Sequence, residues 1–319
     1  MCTQQKITVM KIGLIDVDGH NFPNLSLMKL SAYFKLEGDS VEWLSEYEHY
    51  DIVYMSKVFS EAYSADEFTP ANADKVIRGG SGYAITTVSG IEIYNPALDP
   101  PLPQTIEHIY PDYGLYPGIT NDTAYGRLTI GCPKRCPWCH VGAMQGTAAT
   151  HVADLREFWR DQKNIEIMDP NILACPGREM LLEQLACSKA WVNFNQGLDV
   201  QRIDGDVASL LNSCKIRRFH FAWDDPAVDL TNQFANVGKL LRIKSRSRRM
   251  VYVLTNFGDS TIDDALERIY ILRSLDFDPY VMIYNKPGAS RIYKQLQRWC
   301  NNKIIFGAVP YFDEYINKK

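Results

Sequence analysis

From about residue 121 to the C-terminus, strand-like and helix-like segments alternate at a spacing of roughly 30 residues, the size of one β/α unit. The strand-like runs fall at 127–130, 165–168, 191–195, 218–222, 251–255 and 280–284. Helical patterns at 152–161, 178–188, 206–213, 228–241, 263–275 and 289–299 follow them in turn. Strands joined by helical crossovers pair in parallel. Six such units make three quarters of a barrel, and an open parallel barrel carries its site at the C-terminal strand ends.

Polar residues cluster at those ends. Asp169-Pro170-Asn171 follows the second run, and Asn195-Gln196-Gly197-Leu198-Asp199 the third, with Arg202 close behind. Trp223-Asp224-Asp225, Thr255-Asn256-Phe257-Gly258 and Tyr284-Asn285-Lys286 follow the last three. Each alone reads equally as a loop or a helix cap, and Asp169, Asp225 and Asp259 suit capping. Their joint placement is the stronger signal.

The first run leads into Gly131-Cys132-Pro133-Lys134-Arg135-Cys136-Pro137-Trp138-Cys139-His140, a C-x-x-x-C-x-x-C loop. Thiolates are soft ligands that suit iron–sulfur clusters. Three on one loop can hold three corners of a [4Fe–4S] cubane and leave the fourth iron open. Pro133 and Pro137 stiffen the loop. A zinc site of Cys132, Cys136, Cys139 and His140 is the alternative.

On this motif and its place after the first strand, the chain resembles the radical S-adenosylmethionine superfamily over about residues 121–305. The resemblance implies that Cys132, Cys136 and Cys139 hold a [4Fe–4S] cluster, with Trp138 near the adenine of S-adenosylmethionine. It implies reductive cleavage to a 5′-deoxyadenosyl radical that abstracts hydrogen from an unidentified substrate. Asp169 or Asn171 would contact the cosubstrate's amino group. Asn195, Gln196, Asp199, Asn256 and Tyr284 are the further cofactor-binding candidates.

The N-terminal part reads as strand, helix and further strands: 7–17, a helix capped by Asn24 and Gly38, then 40–44, 51–56 and 75–78. It resembles the cobalamin-binding domain that precedes many of these enzymes, through Asp18-Gly19-His20-Asn21-Phe22-Pro23, Ser56 and Gly79-Gly80. In that pattern the histidine can ligate cobalt, which makes His20 a candidate ligand, with a plain loop histidine as the alternative. Pro23 replaces the last motif glycine, the third and fourth strands are close in sequence, and 84–94 reads as a hairpin. Cobalamin is therefore not favoured, and a docking or covering domain is the alternative. The expected fold is α/β: a partial (β/α)6 TIM-like barrel after a small Rossmann-like parallel domain. The expected domains are residues 1–95, a proline-rich linker at 96–120, and 121–319.

A net charge of −4 gives no general attraction to nucleic acid or anionic lipid. No apolar run approaches the ~20 residues of a membrane span. Eight cysteines, three of them clustered, do not make a secreted disulfide framework, so a reducing cytoplasm is expected. The resemblance adds an electron donor such as flavodoxin or ferredoxin. The basic run 242–249 leaves a zinc-stabilised RNA-binding protein as the rival reading, with nucleic acid not favoured. A redox or sensing iron–sulfur protein is a third.

Overall fold

The computed structural model describes residues 9–19, 21–61, 63–65 and 68–317. The chain divides into one unit running to Tyr125 together with Arg156–Gln162, and a second of Gly126–Leu155 with Lys163 onward.

In the first unit, β1 (Lys11–Asp16), β2 (Ser40–Trp43), β3 (Tyr50–Ser56) and β4 (Ala73–Gly79) form a parallel sheet in the order β2-β1-β3-β4. The helix Leu25–Glu37 forms where expected. The Asn24 side chain accepts from Leu27 N, and Gly38 closes the helix at φ 92°. Leu27, Met28, Leu30 and Phe34 pack with Ile12 and Leu14 of β1. β5 (Ile85–Val88) and β6 (Ile91–Tyr94) make the expected hairpin. Ser89 and Gly90 both take positive φ, as a tight two-residue loop requires.

The proline-rich stretch 96–120 is packed into this unit, which corrects the expectation of a linker between domains. Ile106 and Leu115 belong to the same apolar cluster as the helix. Asp112 accepts from Ser31 Oγ and Lys35 Nζ, both at 2.6 Å, and Tyr116 Oη donates to Asp16 at 2.7 Å. Proline-rich composition signals lack of regular structure, and here the irregular chain still buries its apolar side chains.

The second unit is a run of parallel strands. β7 (Thr123–Gly126) ends at its first residue, and Gly126 O accepts from Met168 N at 2.9 Å. β8 (Thr129–Ile130) pairs antiparallel with β9 (Thr150–His151). β10 (Asn164–Ile167), β11 (Trp191–Phe194) and β12 (Lys215–Ile216) pair in parallel, as do β13 (Phe219–Ala222), β14 (Arg249–Thr255) and β15 (Asp278–Ile283). A parallel bridge between Leu198 and Phe221 joins the two sheets, with Leu198 N donating to His220 O at 2.7 Å. Helices Arg178–Ser188, Gly205–Ser213, Thr231–Leu240, Ile262–Ser274 and Arg291–Asn301 alternate with the strands. Among the described residues the run does not close into a barrel.

Two local expectations fail. The first strand lies at Thr123–Gly126 and not at 127–130, because Asp169 takes the amides of Leu128 and Thr129 out of the sheet. The segment 152–161 is not an α-helix and forms only a 3-10 turn at Leu155–Glu157. Its Leu155 amide goes to the Gln184 side chain, so the helical ladder has lost a donor there.

Arg268, on the helix Ile262–Ser274, is 3% exposed. Its guanidinium donates to the carbonyls of Trp223, Asp224 and Leu254 at 2.7, 2.9 and 3.1 Å. It thereby ties the C-terminal ends of β13 and β14 together, and a buried charge is tolerable only when satisfied in this way. Arg268→Met leaves three carbonyls without that donor. The expected cost is on the order of 3 kcal/mol. It should appear as a lower urea midpoint at unchanged slope; an unchanged midpoint would contradict this assignment.

Candidate functional site

Because the strands are parallel, the loops after them share one rim. The cysteine loop is held there by three devices. Gly131 takes φ 80°, and a Cβ on it would lie 2.2 Å from Ala148 O, so only glycine fits this close approach. Cys132 N donates to Gly146 O at 3.1 Å, and Cys139 N to Cys136 O at 3.0 Å.

The second device is Asp169, which is 4% exposed. Its carboxylate accepts from Leu128 N at 2.8 Å, Thr129 N at 2.6 Å and Thr129 Oγ1 at 2.7 Å. Burial raises its pKa to about 6, against the pull of these donors. The sequence proposes Asp169 or Asn171 for the cosubstrate's amino group. Asp169 is engaged in shaping the chain into the cysteine loop.

The third device is Asp199. It caps the turn at Gln201 N, pairs with Lys134 of the cysteine loop at 2.9 Å and with Arg202 at 3.3 Å, and accepts from Asn171 Nδ2 at 3.3 Å. Asn171 Nδ2 also lies 3.6 Å from Cys132 Sγ. Asn171 is 4% exposed, and its Oδ1 is buried with no hydrogen-bond partner. An acceptor in that state beside a cysteine thiol is suited to a donor on a ligand.

The aromatic side of the rim is continuous. Trp138 meets Phe257 edge-on at 5.4 Å between centroids, and Phe257 meets Tyr284 at 4.8 Å. Asn256, at φ 64°, donates from Nδ2 to Tyr284 O at 2.9 Å. Phe257 and Tyr284 thus link Trp138 and Asn256 in one cluster. Asn195 belongs to another network, in which its Oδ1 accepts from Asn193 at 2.6 Å. Gln196 is exposed in the turn before Gly197.

Sequence reasoning singled out neither Asp224 nor Phe257 as a binding residue. Asp224 accepts from Leu254 N at 3.0 Å, and burial raises its carboxyl pKa to about 6. Its charge also opposes ionisation of Cys136 and Cys139. Its signal was its position after the fourth run, which it shared with Asp225, a neighbour of the same chemistry.

The thiols oppose one another's ionisation. Burial, then Cys139, raises the Cys136 pKa to about 11, with Lys134 working against them. Burial raises Cys139 as well, with Cys132 adding to it. Among the described residues, no group of three or more His, Cys, Asp or Glu side chains is gathered tightly enough for a single metal ion. A cubane asks its cysteines to reach three different irons, and its positive charge offsets the repulsion among thiolates. The three-thiol loop, with an amide donor at Cys132, fits such a cluster.

The first unit does not fit a corrinoid in the same way. Ser56 Oγ accepts from Asn24 Nδ2 at 2.8 Å. A Cβ on Gly80 would lie 2.3 Å from Lys57 O, and one on Gly82 2.3 Å from Phe59 O. Ser56 is thus bonded to a neighbouring side chain and Gly80 and Gly82 lie against the chain's own backbone, whereas nothing lies close to Gly79. His20 lies outside the described residues.

The basic run 242–249 is largely spent on carbonyls. Lys244 Nζ donates to Gly238 O and Lys239 O, Arg248 to Ile216 O and Arg217 O, and Arg249 to Gly238 O and Ile243 O. Cations at the end of the helix Thr231–Leu240 complement its dipole. No described helix is long and apolar enough to cross a membrane.

The chain thus combines a four-stranded parallel α/β unit with an open run of parallel β/α units that carries a cysteine loop at its strand-end rim, and it shares its fold with solved structures. Among solved structures, the chain is similar to the radical S-adenosylmethionine methyltransferase TsrM from Kitasatospora setae with cobalamin and a [4Fe–4S] cluster bound. The TM-score is 0.59 at 13% identity, over 86% of this chain and 75% of that one. The same enzyme with tryptophan substrate and the analogue aza-SAM matches equally, over 86% of this chain and 73% of that one. No protein-family model matches the chain, and no curated protein matches it in sequence.

Asp169→Asn puts an amide donor where the backbone supplies donors. Iron retained per chain after anaerobic reconstitution is expected to fall severalfold, whereas Thr129→Val, which removes one of the three hydrogen bonds, should cost far less. Equal iron in the Asp169→Asn protein and the parent would show that the latch does not shape the loop.

Proposed function

We propose that this protein is a radical S-adenosylmethionine enzyme that abstracts hydrogen from a substrate. The observation that carries this reading is the loop of Cys132, Cys136 and Cys139 at the strand-end rim, with Asn171 donating to Cys132 and presenting a buried, unpaired Oδ1. Cys132, Cys136 and Cys139 hold the [4Fe–4S] cluster. When bound, cluster and S-adenosylmethionine supply a 5′-deoxyadenosyl radical by reductive cleavage of a C–S bond.

The chain's own residues bind, orient and exclude water. Asn171 Oδ1 accepts from the cosubstrate's amino group. Trp138, Phe257 and Tyr284 form the aromatic side of the rim, against which an adenine packs and from which water is excluded. Asp169 and Asp199 keep the loop in place without meeting the ligand. The reading calls for an electron donor such as flavodoxin or ferredoxin and a reducing cytoplasm. It uses no cobalamin, because Ser56 and the glycines after β4 are engaged with the protein itself.

The test is anaerobic reconstitution, reduction with S-adenosylmethionine present, and assay for 5′-deoxyadenosine. The parent protein should be brown and form the product, and Cys136→Ala should abolish it. Asn171→Ala should weaken S-adenosylmethionine binding about tenfold, the loss of one buried hydrogen bond of roughly 1.4 kcal/mol, at unchanged iron content. A colourless protein with stoichiometric zinc would refute the proposal.

A further inference from the structure

Parallel strands share their N-terminal ends as well as their C-terminal ones, and in the second unit the N-terminal end is basic. Trp191 and Lys215, the first residues of β11 and β12, are register partners, as are Phe219 and Arg249 at the starts of β13 and β14. Lys189 stands just before β11, and Arg217 and Arg218 stand directly before β13. Arg242, Arg246 and Arg248 lead into β14. Arg246 is half-buried, and the others of these lead-in cations are exposed.

The segments are tied to one another. Arg248 donates from Nε to Arg217 O at 2.5 Å and from Nη2 to Ile216 O at 2.9 Å. Arg242 N donates to the side chain of Asn212, in the last turn of the helix Gly205–Ser213, at 2.8 Å. The Arg217 guanidinium lies over the Trp191 ring, 5.1 Å from its centroid, and Trp191 is 37% exposed. Cations from three neighbouring strand starts therefore form one surface beside an accessible aromatic ring.

The charge of this surface is not neutralised. Among the described residues, none of Lys215, Arg217, Arg218, Arg242, Lys244 or Arg248 forms an ion pair. The carbonyls that Lys244 and Arg248 bond hold those side chains in place and leave their charge intact. Asp278, at the start of β15, is paired with Lys303 at 2.8 Å, and the exposed Asp276 stands at the edge of the surface. In a chain of net charge −4, such a concentration of cations is a local field that draws a polyanion to one end of the unit.

We infer that this end of the second unit binds single-stranded nucleic acid. The cations track the phosphate backbone, and a base stacks at Trp191 and Arg217, a pairing of ring and guanidinium that accepts any base. An acidic protein face or an anionic lipid surface would use the charge and leave the ring without a role. A duplex would keep its bases stacked away from the ring. The surface lies at the other strand ends from the cysteine loop, so the inference does not rest on the radical reading.

The experiment is fluorescence anisotropy of the full chain with fluorescein-labelled dodecauridylate, between about 50 and 200 mM KCl. The log of the affinity is expected to fall against the log of the salt concentration with a slope of about −3, the release expected for four phosphates at ~0.7 each. Arg218→Gln combined with Arg242→Gln should weaken binding at least tenfold and make the slope shallower by about 1.4. Arg291→Gln combined with Lys294→Gln removes the same charge from the helix Arg291–Asn301 and should weaken binding less than twofold. Trp191→Leu should weaken binding at least fivefold at unchanged slope, because stacking releases no counterions. Absence of binding by the parent protein overturns the inference, as does an equal loss in the two double variants. Unchanged affinity in Trp191→Leu also overturns it and leaves a surface for acidic proteins or lipid headgroups. If Trp191→Leu does not fold, oligothymidylate and an abasic oligomer of the same length are compared on the parent protein. The abasic oligomer should bind at least fivefold more weakly, and equal affinities overturn the inference.

Discussion

The cysteine loop depends on one buried carboxylate. A strand continues only while its amides find carbonyls in the neighbouring strand, and Asp169 offers Leu128 and Thr129 a stronger, charged acceptor. The sheet therefore stops at Gly126, and the chain turns out to the rim where the three thiols stand. Burying Asp169 is costly, as its raised pKa reflects, and the three short hydrogen bonds it accepts offset that cost.

The same economy recurs around the rim. Arg268 satisfies the carbonyls that end β13 and β14, and Asp224 receives an amide from β14. Asp199 binds Lys134, Arg202 and Asn171 at once. Arg268, Asp169 and Asp199 each have several partners from different segments, so the loops are held by groups that cannot move singly without leaving another unpaired. Preorganisation of this kind is what a site needs if its ligands are to arrive in one orientation. Asn171 Oδ1, His220 Nδ1 and Arg127 Nε stand out against this background, because each is buried without a hydrogen-bond partner.

Sequence pattern made much of this legible. All six strand-like runs overlap strands, the first only at the short β8, since alternating apolar residues must face one side of a sheet whatever its neighbours do. The caps at Asn24 and Gly38 and the hairpin loop at Ser89-Gly90 are local chemistry and were equally readable. The failures were long-range. Nothing near residue 128 announces that an aspartate 41 positions away will take its amide. Nothing in the prolines of 96–120 announces that Ile106 and Leu115 are core residues. The run 242–249 showed its cations in sequence and not the carbonyls that receive them.

By itself the sequence determined the β/α alternation, the three thiols on one loop, and a set of polar residues at the strand ends. These follow from periodicity and spacing, which act over a few residues. Only the tertiary structure decided which of those polar residues are tied up and which face outward with an open valence. It set Asp169 and Asp199 to holding the loop and left Asn171 with an unused acceptor. It also gathered Glu166, Asn193 and His220 onto one face from three separate strands. Hydrogen-bond satisfaction is a property of the whole packed chain, and no local pattern encodes it.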